Sequence, residues 1–136
     1  MGAWGYGCLE NDTALDFIGY LENYKGKEPS LKKILREMEY DAEYVDSDVD
    51  AEILALAAVI LNQENIVEFT EITDEVPYLP YTKDDVKVLI EQIEDILTNS
   101  ESHELHDLWE EADEEDFNEW KQEVGDLAEA LSDLLK

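Results

Sequence analysis

Apolar residues recur at steps of three and four along most of this chain, the spacing of a helix with one buried face. After a glycine-punctuated opening around Trp4 and Tyr6, Asn11 stands where a helix N-cap belongs, with Asp12 in the first turn. Leu15, Phe17, Ile18, Leu21 and Tyr24 then trace an inner face that predicts a helix ending near Lys25–Lys27. Ser30 reads as the cap of a second helix with Leu31, Ile34, Leu35, Met38 and Val45 inward. The run Asp46-Ser47-Asp48-Val49-Asp50 interrupts the pattern, and Asp48 reads as the cap of a third helix through Leu61. That helix is apolar on nearly every side, which predicts a central position covered by the others.

Residues 66–72 read as a short extended segment, with a continuation of the helix as the alternative. Pro77 and Pro80 place an extended loop after it. Thr82 with Asp85 three residues on predicts a capped helix whose face is Val86, Leu89, Ile90, Ile93, Ile96 and Leu97, stopped at Asn99-Ser100. A short helix is expected over Ser102–Glu111. A last one starts near Asp113, with Phe117, Trp120, Val124, Leu127, Leu131 and Leu134 along its stripe. Gly125 on that face predicts a close helix approach. The sum is an all-α, single-domain reading over residues 1–136, with five or six helices and a glycine-rich N-terminal loop.

Charge changes this picture. The 136 residues carry 37 Asp and Glu against 9 Lys and Arg, a formal net of −28. Such an excess opposes compaction, yet an apolar fraction of 44% with three Trp and seven Tyr is enough for a core. It also disfavours nucleic acid and anionic membranes as partners and favours something basic. One cysteine, Cys8, excludes an internal disulfide and fits a reducing compartment. The longest apolar run, Ile53–Leu61, is nine residues, against the roughly 20 that a membrane helix needs. With no signal-peptide pattern at the start, a cytoplasmic protein is expected.

Candidate chemistry is sparse. Asp46, Asp48 and Asp50 alternate as in a calcium loop, but the turn glycine and the closing Glu are replaced by Ala51 and Ala57. A cap with a solvated edge is the reading, available to a partner. His103 and His106 share a helical face, but two ligands do not make a zinc site, and HExxH fails because residue 107 is Asp. They read as an exposed polar face. Cys8 lies near Glu10 and Asp12, which oppose a thiolate. No cofactor, metal or catalytic residue is assigned.

The densest negative run is Glu110, Glu111, Asp113, Glu114, Glu115 and Asp116. It suits the dipole of the last helix and equally a basic docking partner. Trp109 and Trp120 flank it, and their helical spacing reads as core; Trp109 is also a candidate partner contact.

Two stretches resemble a bacterial family of unknown function, DUF4259. The opening Met1-Gly2-Ala3-Trp4-Gly5-Tyr6-Gly7 with Asn11, Asp12, Ala14 and Asp16 matches its MG-x-WG-x-G and ND-x-A-x-D pattern. The stretch Ser102, Glu104, Leu105, Leu108, Trp109, Glu110, Glu111 with Trp120, Val124, Leu127 and Leu131 is also similar. The resemblance implies a small cytosolic helical protein with family-motif residues Trp4, Gly5, Gly7, Asn11, Asp12 and Asp16. It implies no activity.

The functional expectation is therefore a binding protein rather than an enzyme. It would be an acidic, immunity-type or otherwise inhibitory partner of a basic protein such as a nuclease, with a DNA mimic as a close variant. The alternatives are a carboxylate-rich metal protein or enzyme, and an acidic domain with no specific partner.

Overall fold

A computed structural model describes residues 7–24, 28–38 and 44–136. The described residues form six helices and no β-strand: α1 (Asp12–Glu22), α2 (Leu31–Glu37), α3 (Ser47–Gln63), α4 (Lys83–Thr98), α5 (Glu104–Glu110) and α6 (Glu114–Asp133). The all-α expectation holds. The N-terminal segment with Trp4 and Gly5 lies outside the described residues.

α3 is the axis of the fold. Every residue from Ile53 to Leu61 is buried, and α3 packs against α1, α4, α5 and α6. This results from its sequence, because a helix without a polar stripe leaves no face to offer water. The other long helices are amphipathic and turn one stripe inward. α4 buries Val86, Leu89, Ile90, Ile93 and Ile96, and α6 buries Trp120, Val124, Leu127, Ala128 and Leu131. α4 and α6 pack directly on one another.

Local chemistry sets most helix starts. Asn11 accepts from the Ala14 N–H at 2.8 Å, and Ser30 from that of Lys33 at 3.2 Å. Thr82 and Asp85 form the reciprocal capping box. α3 corrects the expected boundary. Its cap is Asp46, two residues before Asp48, and accepts from the Val49 N–H at 3.1 Å. The three aspartates of this run are equivalent as local caps. The choice falls to α5, where the Glu104 carboxylate takes the Ser47 N–H at 2.9 Å.

Two further expectations are corrected. Val45 does not continue α2, which ends at Glu37; it makes an isolated parallel bridge with His103. Residues 66–72 are neither strand nor helix. Asn65 turns the chain into the left-handed region at φ 60°, and Asn62 Oδ1 accepts from the Phe69 N–H at 2.9 Å. The loop is then fastened by one side chain. Gln63 Nε2 donates to the Leu79 carbonyl at 2.8 Å and its Oε1 accepts from the Leu79 N–H at 2.9 Å. That pair of bonds seats Leu79, which is fully buried, in the core. A side-chain amide here supplies what a neighbouring strand would otherwise have to provide.

Candidate functional site

The expected docking residues fall into two sets joined by α5. At its N-terminal end lie Asp46 and Asp48, both exposed at the start of α3. Asp46 is engaged as the cap, and Asp48 Oδ1 accepts from Thr13 Oγ1 at 3.1 Å. Beside them is Tyr44, 48% exposed. Local desolvation, then the carboxylates of Glu104 and Asp107, raise its phenol above the ordinary range. The Ser47 backbone N–H holds Glu104 below the usual carboxylate range.

At the other end lie Glu110, Glu111, Asp113, Glu114, Glu115 and Asp116, all exposed. Seven residues at 1.5 Å each make α5 about 10 Å long. Glu114, Glu115 and Asp116 occupy the first turn of α6, where negative charge suits the helix dipole. Asp113 precedes α6 without a side-chain capping bond. Glu110 approaches His106 Nε2 at 3.8 Å. Among the described residues none of the six pairs with a Lys or Arg.

Trp109 and Trp120 underlie this run as core. Their exposures are 7% and 2%, and the rings stack with centroids 6.2 Å apart. Trp109 is thus a core residue, not a projecting contact. In the family motif, the Gly7 carbonyl accepts from the Glu10 N–H in a turn at 3.0 Å. Asn11 caps α1, and Asp12 and Asp16 are exposed one turn apart.

The other member of the aspartate run, Asp50, corrects the docking expectation. It is fully buried, not on a solvated edge. Its Oδ1 lies 2.8 Å from His103 Nδ1, and its Oδ2 accepts from the Leu105 N–H at 3.3 Å. On the other side of the ring, His103 Nε2 lies 2.6 Å from Asp95 Oδ2. His103 itself is fully buried, while the Asp95 side chain is 42% exposed.

The histidines are therefore not an exposed polar face. His103 precedes α5 and joins α3, α4 and α5 through its ring. His106 is buried too; its Nδ1–H donates to the Ile96 carbonyl at 2.7 Å, and its ring meets Phe117 and Trp120 edge-on at 5.5 Å each. Two carboxylates hold the imidazolium form of His103, and they outweigh the burial that opposes it, so its pKa is raised. Burial pushes the Asp50 carboxyl up, against the hydrogen bonds it accepts.

Asp95 was missed in the sequence because it sits on the polar side of a regular amphipathic helix. Asp50 left a faint signal, a carboxylate four residues from Leu54 inside a run that buries nearly everything after it. As to metals, no group of three or more His, Cys, Asp or Glu among the described residues is arranged to hold an ion. No helix among them is long and apolar enough to cross a membrane.

Taken together, the fold and this site define a small, strongly acidic helical protein whose buried polar residues join helices. Residues 2–123 match DUF4259, a domain of unknown function, and the chain belongs to that family. No curated protein and no solved structure matches it.

Proposed function

We propose that this protein binds a basic protein and blocks its cationic surface, as an immunity-type inhibitor would. One observation carries the reading. Six exposed carboxylates in seven residues, Glu110–Asp116, have no Lys or Arg partner among the described residues. In the chain they lie between Trp109 and Trp120, which are buried and stacked on one another. Charge held in place in this way steers an oppositely charged partner and fixes its orientation.

The surroundings fit binding better than catalysis. The Cys8 thiol is buried and pushed up to about 12, by burial first and then by the charge of Glu123, so it is a poor nucleophile. Both ring nitrogens of His103 face carboxylates. An exposed aromatic that a partner can meet on this side is Tyr44, beside Asp46, Asp48 and Glu104.

The test is capture from host lysate at low salt on the immobilised protein, eluted by a salt gradient. One basic protein retained near stoichiometry and released late is the expected result. A variant with Glu110, Glu111, Glu114 and Glu115 all changed to Gln should keep its helix content and lose that retention. Generic cations released together at modest salt, or retention unchanged in the variant, would refute the proposal.

A further inference from the structure

We propose that Asp50, His103 and Asp95 form a proton-holding junction, in which a proton beyond that of a neutral imidazole locks α3, α4 and α5 together and whose loss loosens them. Hydrogen-bond valence is the starting point. An ionised carboxylate can only accept, and a neutral imidazole has a single N–H. His103 nevertheless has a carboxylate oxygen 2.8 Å from Nδ1 and another 2.6 Å from Nε2. With one N–H, one of these contacts would set two acceptors face to face. With both nitrogens protonated, both contacts are charge-assisted bonds and the trio carries a net charge of −1.

Position makes this proton structural. His103 is fully buried, so deprotonation cannot be repaired by bulk water at the ring. The backbone on either side is stitched to the start of α3. Val45 N–H donates to the Ser102 carbonyl at 2.7 Å and Glu104 N–H to the Val45 carbonyl at 2.9 Å. Leu105 N–H reaches Asp50, and Glu104 takes the Ser47 N–H. On the α4 side the ties are His103 to Asp95 and His106 to the Ile96 carbonyl. Asp95, 42% exposed, gives the proton a route to solvent.

The described titratable groups around the junction come from all three elements. Asp46 and Asp50 belong to the start of α3, Asp95 to α4, and Glu104, His106 and Asp107 to α5, with Tyr44 alongside. The carboxylates all favour the cation. Tyr44 is raised and stays neutral across the range in question. A folded-state histidine pKa above the unfolded value of about 6.5 contributes stability that is complete below that value. The contribution disappears as pH rises through the folded pKa. The carboxylates are already ionised in this window; Cys8, with its folded thiol at about 12 against an unfolded value of about 8.5, adds a fall in stability near pH 9 that wild type and variant share, so the difference between the two reads His103.

Two measurements on the whole protein test this. Long-range ¹H–¹⁵N correlation spectra should show both His103 nitrogens protonated at pH 6.5 and the ring titrating above the ordinary histidine value. Urea midpoints should fall between pH 6.5 and 9 in the wild type. Asp95→Asn can donate to Nε2, so a neutral His103 satisfies both sides; its midpoint should be flatter over the same range, with His103 carrying one proton. Asp95 is partly exposed, and this variant keeps the bond to Nε2 as well as the two hydrogen bonds that the buried Asp50 carboxylate accepts, from Nδ1–H and from the Leu105 N–H, whereas His103→Gln removes the ring altogether. A neutral His103 in the wild type at pH 6.5, or an Asp95→Asn midpoint falling as steeply as the wild type's, overturns the proposal.

Discussion

Gly125 gives the most direct test of how far local pattern can be trusted here. Its place on the inner stripe of α6 predicts a close approach that only glycine permits. The structure disagrees: among the described residues, a Cβ at Gly125 meets nothing nearer than Leu97 Cδ2, at 4.0 Å. That is an ordinary van der Waals contact. Gly19 in α1 is similar, with no heavy atom of the described residues beyond its own neighbours within 4 Å of a Cβ. Alanine is about 0.5–1 kcal/mol better than glycine in a helix. The two sites lie on different helices, so their effects should add, to about 1–2 kcal/mol. Unfolding entropy of about 2.1 cal/mol/K per residue, over 136 residues, converts each kcal/mol into about 3–4 °C. Gly19→Ala with Gly125→Ala should therefore raise Tm by about 4–7 °C, with Gly125→Ala alone supplying about half. Thermal melts followed by circular dichroism would measure it. A fall in Tm for Gly125→Ala would mean that a Cβ at 125 has less room beside Leu97 than the 4.0 Å found and would refute the packing described.

Single contacts have consequences of their own. Leu127→Asp places a carboxylate at a buried position on α6 and should cost about 3–5 kcal/mol, seen as loss of the cooperative urea transition or a large fall in its midpoint. Removing the Gln63 amide by Gln63→Ala should cost about 1–3 kcal/mol and speed hydrogen exchange across residues 64–82. Exchange in α6 should stay slow, because the clamp ties only Leu79. Cys8, with its thiol at about 12, should resist thiol reagents at pH 8 in the folded protein and react once urea unfolds it.

Much of the fold was legible from local rules. The caps at Asn11, Ser30 and Thr82, the inner stripes of α4 and α6, and the encircled α3 all depend on residues within a few turns of one another. A helical period and a capping side chain are short-range chemistry, so sequence neighbours suffice to show them. The acidic run at Glu110–Asp116 was equally plain, since charge cannot easily be buried without a partner. Where several local solutions were equivalent, the pattern stopped deciding. Asp46 was chosen over Asp48 by Glu104, 57 residues from Ser47.

The chain by itself thus determined that helices form, where most begin, which faces turn inward, and that the surface is strongly negative. Tertiary structure alone decided that Val45 bridges to His103, that residues 66–72 form an irregular loop held by Gln63, and that Asp50 leaves the surface. It also decided that two histidines with polar neighbours belong to the interior. The physical reason is separation along the chain: Asp50 and His103 are 53 residues apart, and no periodicity links them. Their meeting becomes favourable only after α3, α4 and α5 have packed, when a buried carboxylate must find a cation or a donor.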